Sequence, residues 1–175
     1  MVIDNTATTA AVAYVGVVNC ADDLEVTNGD FRAYGGSGDV TIDGDVTVSN
    51  SSIFRTQTTQ LAAGGVNATL GSLTINSGAT YDATPLTTTI TSETSGGFAM
   101  VDQGTFTHNN GTVQIGDGST SVGSGTHTKV NTFYNLTINM ASTTVMMLMR
   151  PNSGSTMTVL NNVKVQNGVL TKNSH

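Results

Sequence analysis

Apolar and polar residues alternate along this chain in short runs, and Asn, Gly, Ser or Asp breaks each run before it can lengthen. The stretch 104–140 shows the habit most clearly. Thr105-Phe106-Thr107 forms one run, Thr112-Val113-Gln114-Ile115 a second and Leu136-Thr137-Ile138 a third. Upstream lie Leu24-Glu25-Val26, Phe31-Arg32-Ala33, Val40-Thr41-Ile42, Val46-Thr47-Val48 and Ile53-Phe54. Downstream, Met157-Thr158-Val159, Val163-Lys164-Val165 and Val169-Leu170 repeat the pattern. Alternation at period 2 predicts strands, and the spacing of an amphipathic helix is almost nowhere sustained.

Between Leu24 and Ile53 the runs start only six to nine residues apart. That leaves no room for the long arms of an ordinary meander. It suits a parallel β-helix, or solenoid, in which each turn holds three short strands and takes about 20 residues. The tetrad Leu-Thr-Ile-Asn occurs at 73–76 and again at 136–139. Asn28-Gly29, Asn110-Gly111 and Asn167-Gly168 each precede another strand, and both residue types tolerate the positive φ of a sharp corner. The expected fold class is therefore all-β, a parallel β-helix of short strands. An antiparallel β-sandwich is the structural alternative, because Asn-Gly also closes two-residue hairpins.

In the solenoid, Val, Ile, Leu, Phe and Met point inward while Thr, Ser, Asn and Asp point outward. Turns stacked about 4.8 Å apart align the inward residues in columns, and a fully coiled chain makes about eight turns, a rod of roughly 40 Å. No single turn buries its inner face alone, so stability comes from stacking. Residues 1–20 read as an N-terminal cap or attachment segment, and 21–175 as the β-helical domain. The passage 56–69 interrupts the rhythm and is expected to be a loop or one helical turn. The chain stops in mid-pattern, which leaves an open end for a partner or for further chain to cover. Val145, Met146, Met147, Leu148 and Met149 are apolar at every position. They read as a strand buried on both sides, one facing the interior and the other a subunit interface, or equally as a crowded interior in which Met fills gaps.

Composition narrows the class. Charged residues are 10% of the 175, against the roughly 25% of an average globular domain. With 37% apolar residues the chain is not of the disordered type. The length predicts one domain. Net charge is −6, and the six basic residues are scattered singly, so neither nucleic acid nor an anionic membrane is an expected partner. Cys20 is the only cysteine, so no intrachain disulfide forms, and a lone Cys beside apolar residues reads as a small hydrophobe. The first residues lack the basic region of a secretory signal, and the apolar stretch 10–18 is too short to span a bilayer.

The segment 104–113, GTFTHNNGTV, followed by Thr132, Phe133, Tyr134, Asn135, Leu136, Thr137 and Ile138, resembles a recurring pattern of surface proteins. It is similar to the repetitive right-handed β-helix regions of phage virion appendages (tail fibres, spikes, capsid fibres) and of bacterial adhesin-like proteins. The likeness covers about a fifth of the chain strongly and carries no catalytic residues. It implies a homotrimer assembled with other virion proteins on the virion surface. On the adhesin version it implies a bacterial surface location and a carbohydrate or host-surface partner.

Candidate chemistry is sparse. Residues 35–42 fall one short of a calcium-binding nonapeptide and occur once, so Asp39, Asp43, Asp45 and Asp117 read as turn residues bonding nearby backbone. No cofactor is expected; calcium is the one ion that oxygen-rich coils of this kind could hold. His108, His127 and His175 lack metal-ligand spacing, although coiling could bring the first two together. Polysaccharide-degrading β-helices need paired carboxylates or a carboxylate beside a base, and Asp22-Asp23 is the only adjacent acidic pair. Thr-x-Thr pairs at 105–107 and 126–128 do not recur at coil spacing, so an ice-binding face is not expected. The sequence thus predicts a non-enzymatic structural protein, with an adhesin segment second and a polysaccharide-degrading enzyme third.

Overall fold

Short β-branched runs broken by turn residues pair with neighbours one turn away throughout the computed structural model. It describes residues 1–4, 11–15, 17–34, 38–56, 65–118, 126–128, 132–142, 146–149 and 157–172. The first strands are β1 (Val2–Asp4), β2 (Ala11–Val15), β3 (Val18–Cys20) and β4 (Leu24–Asn28). The next turn holds β5 (Asp30–Tyr34) and a long β6 (Val40–Val48), and the one after holds β7 (Ile53–Arg55) and β8 (Ala68–Ile75). Then come β9 (Thr80–Asp82), β10 (Thr87–Ile90) and β11 (Phe98–Asp102), followed by β12 (Thr105–Thr107), β13 (Thr112–Ile115) and β14 (Thr126–Thr128). The chain closes with β15 (Thr132–Asn139), β16 (Met146–Met149), β17 (Thr158–Asn167) and β18 (Val169–Lys172).

Every strand pairing among the described residues is parallel. The protein is an all-β solenoid, and the antiparallel sandwich is excluded. One side is a five-stranded sheet, β2-β5-β7-β9-β12; the remaining strands form a 13-stranded sheet that bends around the other sides. The bend runs through single strands: in β6 the register shifts between Ile42 and Asp45, so β6 and β8 each serve two sides. At that corner Gly71 lies so close to the preceding turn that a Cβ would run into the carbonyl oxygen of Gly44 and come within 2.6 Å of that of Asp43. Close stacking of backbone on backbone, rather than turn shape, fixes glycine there.

The core is a set of columns along the axis. Cys20, Ile42, Leu70, Ile90, Ile115, Ile138 and Val165 are consecutive partners in register. Turn length varies along this column, shortest from Leu70 to Ile90 and longest from Ile42 to Leu70. Most turns along it are longer than the expected length of about 20 residues. A second column joins Leu24, Val46, Leu73 and Met100, each at most 1% exposed. The Asn-Gly pairs mark corners of the coil. Gly29 and Gly168 adopt positive φ of 92° and 110°, whereas at the third pair Asn109 and Asn110 take the left-handed conformation at 46° and 62°. Gly111 is required there because a Cβ would strike the Thr84 carbonyl oxygen of the turn below.

Residues 2–4, 11–15 and 18–20 are strands of the first turn, paired to β4, β5 and β6. Cys20 heads its column half-buried, with its Sγ 3.2 Å from the Asp22 carbonyl oxygen. Of the passage 56–69, residues 57–64 lie outside the described residues, and Ala68 already opens β8. No helix among the described residues is long and apolar enough to cross a membrane.

Candidate functional site

The five-stranded sheet concentrates most of the specific side-chain interactions. Its inward column is aromatic: Phe31, Phe54, Tyr81 and Phe106 are register partners on successive turns. Ring centroids lie 5.6, 5.3 and 6.0 Å apart with interplanar angles of 11°, 28° and 12°, and Phe133 closes the ladder edge-on at 6.3 Å. Offset stacking of this kind adds to the area each ring buries.

The Tyr81 hydroxyl lies inside the coil, 3.0 Å from Thr56 Oγ1 and 3.2 Å from Thr88 Oγ1, and the Thr84 N–H donates to Thr56 Oγ1 at 3.1 Å. These four side chains are all buried, so a hydroxyl without its partners would cost its full desolvation. Burial pushes the Tyr81 phenol above its usual range, with the two threonine bonds pulling the other way, so it stays protonated.

On the outside of the same sheet, alternation carries Arg32, Arg55 and Asp82 into one column. Asp30 accepts from Arg32 Nε at 2.8 Å and Nη2 at 2.7 Å, and from Arg55 Nε at 3.0 Å. Arg55 Nη1 reaches Asp82 at 2.6 Å, and Asn109 Nδ2 donates to the other oxygen of Asp82 at 2.7 Å. The resulting brace, Asp30 to Arg55 to Asp82 to Asn109, ties four successive turns. Asp30 sits between two guanidiniums that stacking would otherwise leave mutually repelling. Chemically, both carboxylates are engaged in charge-assisted bonds that hold turns together.

Nothing in the basic residues taken singly foretold this brace, since Arg32 and Arg55 read as isolated charges. The signal was present all the same. An aromatic followed by a polar residue recurs as Phe31-Arg32, Phe54-Arg55, Tyr81-Asp82, Phe106-Thr107 and Phe133-Tyr134, at separations of one turn.

The residues singled out as candidate chemistry fall at separate places. Asp39 is exposed and accepts from the Asn67 N–H at 3.1 Å, and Asp45 accepts from Ser72 Oγ at 2.7 Å. Asp43 and Asp117 are exposed at corners, and no group of three or more His, Cys, Asp or Glu gathers among the described residues. Asp22 and Asp23 lie in the bend between β3 and β4, where Asp23 Oδ1 accepts from the Asp45 N–H at 2.9 Å. His108 follows β12 and stacks on Tyr134 at 5.7 Å, its Nδ1 accepting from the Asn110 N–H. His127 lies on β14 in the other sheet, paired with Phe98 and Leu148, and His175 is outside the described residues. Met146, Met147, Leu148 and Met149 form β16, paired between β14 and β18, while Val145 lies outside the described residues. The threonines that do recur by turn are others: Thr41, Thr69 and Thr89 continue through Gln114 and Thr137 to Lys164 in one outward column.

One acid interrupts an apolar column. Val26, Val48, Ile75 and Asp102 are register partners. Burial raises the Asp102 carboxyl from 3.8 to about 6, against the pull of the Gly104 N–H bonded at 3.2 Å. Between those two values the folded chain holds a proton that the unfolded chain has released. This contribution to stability therefore falls as pH rises from about 4 to 6 and is flat above that. Asp102→Asn should flatten the decline and leave the protein more stable than wild type at pH 7, as read from urea melts at pH 4, 5, 6 and 7.

Searches of family models, of curated proteins and of solved structures find no match to this chain.

Proposed function

We propose that this chain is a non-enzymatic structural element of a phage particle, a fibre, spike or capsid-decorating subunit standing on the virion surface. The observation that carries the reading is where the chemistry-bearing side chains go. Asp30, Arg55, Asp82 and Asn109 bond one another across turns, and the aromatic ladder runs beneath them, so both sets stiffen a single axial stack. A column of packed rings braced by ion pairs resists bending, as a rod that transmits force or projects a surface must. The low charge and the Thr- and Asn-rich exterior limit nonspecific adhesion. The resemblance of 104–113 and 132–138 to phage β-helices favours three chains side by side, with β16 on the contact face.

Light scattering on the purified chain tests the assembly. At high salt and low concentration a mass of three chains is expected, and a single-chain mass at every concentration would overturn the trimer.

A second reading, a surface adhesin, is favoured by one feature. Thr112, Asn135, Thr137, Asn161, Asn162 and Lys164 line a shallow groove of about 470 Å³, offering the hydroxyl and amide groups that bind sugar hydroxyls. Retention of the chain on a glycan array, lost on Asn135→Ala with Asn162→Ala, would support that reading over the first.

A further inference from the structure

The two ends of the stack are opposite in charge and alike in being apolar. Residues 1–117 hold all twelve acids and only two basic residues, a net −10, whereas 118–175 hold four basic residues and no acid, a net +4. In a parallel solenoid sequence order is axial order, so this imbalance becomes a charge gradient along the rod. Asp4, Asp22 and Asp23 are exposed on the first turn and the bend that ends it, and Glu25 is exposed on β4, which pairs with β1. Lys164 is exposed on β17 and Lys172 lies on β18, the last strands of the stack.

Exposed large apolar side chains follow the same geography. Met1, Val2 and Val17 are 48, 62 and 56% exposed at one end, and Leu160, Val163, Val165 and Val169 are 55, 51, 47 and 41% exposed at the other. Among the described residues only Leu86 breaks the rule. Val163 and Val165 are the last members of inward columns whose earlier members are buried, exposed because no described strand lies over them. The backbone edges also match. Among the described residues β1, β2 and β3 each pair on one edge only at the first turn, and β17 and β18 do likewise at the last. Such edges are templates for further parallel pairing.

We propose that this chain binds a second copy of itself head to tail, the acidic first-turn end of one molecule seating on the basic last-turn end of the next. The contact continues the parallel ladder and the inward columns from molecule to molecule, and opposite charge selects head-to-tail over head-to-head or tail-to-tail pairing. Because the two surfaces differ, the contact is heterologous and does not close, so the product is a linear series rather than a fixed oligomer. This is a different contact from side-by-side bundling, and either can exist without the other.

The test is sedimentation and light scattering of the full chain across concentration at low and high salt, with two charge-reversed variants. Wild type should show a weight-average mass that at least doubles with concentration and falls as salt screens the ends over about 10 Å. Lys164→Glu with Lys172→Glu makes both ends acidic, and Asp4→Lys, Asp22→Lys and Glu25→Lys together leave Asp23 as the only acid of the four and make the first-turn end basic like the last. Each variant alone should lose the concentration-dependent growth, and an equimolar mixture should recover it, since each then meets an opposite end. A wild-type mass constant with concentration, including a fixed trimer, would overturn the proposal. So would growth that persists unchanged in either folded variant, or a mixture that stays at the mass of its components.

Discussion

Phe54→Ala is expected to destabilise the protein by about 3–5 kcal/mol, because it removes a fully buried ring and leaves a cavity that its neighbours cannot fill. Phe54 stacks on Phe31 below and Tyr81 above, and it is 0% exposed. Those neighbours belong to strands fixed in register on other turns, so neither can move in without unpairing a ladder. Stability in a stack of this kind is a sum of turns and interfaces between turns. The loss therefore falls on the contacts of β7 with β5 and β9, and the urea transition should broaden as the first turns melt separately from the rest. Phe54→Leu keeps most of the volume and should cost about 1–2 kcal/mol. At the partly buried Phe106 the alanine change should cost less than at Phe54. Urea melts followed by circular dichroism distinguish the three variants.

The second large effect is on the outer brace. Asp82→Ala removes the acceptor of Arg55 Nη1 and one of two acceptors of Asn109 Nδ2, leaving Arg55 Nε on Asp30, and the Asp82 side chain is only 8% exposed. Breaking one partner of a buried pair costs about 3–5 kcal/mol when the remaining charge stays buried. Arg55 is 29% exposed, so water recovers part of that, and about 2–3 kcal/mol is the expected loss. Asp82→Asn keeps an acceptor without the charge and should cost about 1 kcal/mol. Asp82→Leu combined with Arg55→Met removes both charges and should recover most of the stability that Asp82→Ala loses. A double variant no more stable than Asp82→Ala would show that packing, not charge, sets the cost at this position.

The fold was legible because its cause is local. Period-2 runs such as Val40-Thr41-Ile42 and their close spacing leave parallel coiling as the economical arrangement, and Asn28-Gly29 and Asn167-Gly168 turn corners through glycine as their chemistry suggests. Segments such as the one between Arg55 and Ala68 make individual turns longer than the run spacing suggests. Register was the information missing from the sequence. Arg32 and Arg55 are distant in sequence and read as isolated charges, yet one turn of the coil stacks them directly. The aromatic ladder is hidden in the sequence for the same reason. Its members Phe31, Phe54, Tyr81, Phe106 and Phe133 recur at uneven intervals, because the turns between them differ in length. Conversely, His108 and His127 are separated by nearly as much sequence as Arg32 and Arg55, yet the coil assigns them to different sides of the stack.

The functional account rests on a stiff axial stack that stands at a surface. Electron cryo-microscopy of the native particle, with the chain located by a specific antibody, tests it most directly. The account predicts antibody-decorated rods on the particle exterior, showing strands repeated about every 4.8 Å along the rod and chains bundled side by side. Globular density at the decorated position, or a chain found free of any particle or surface, would contradict it.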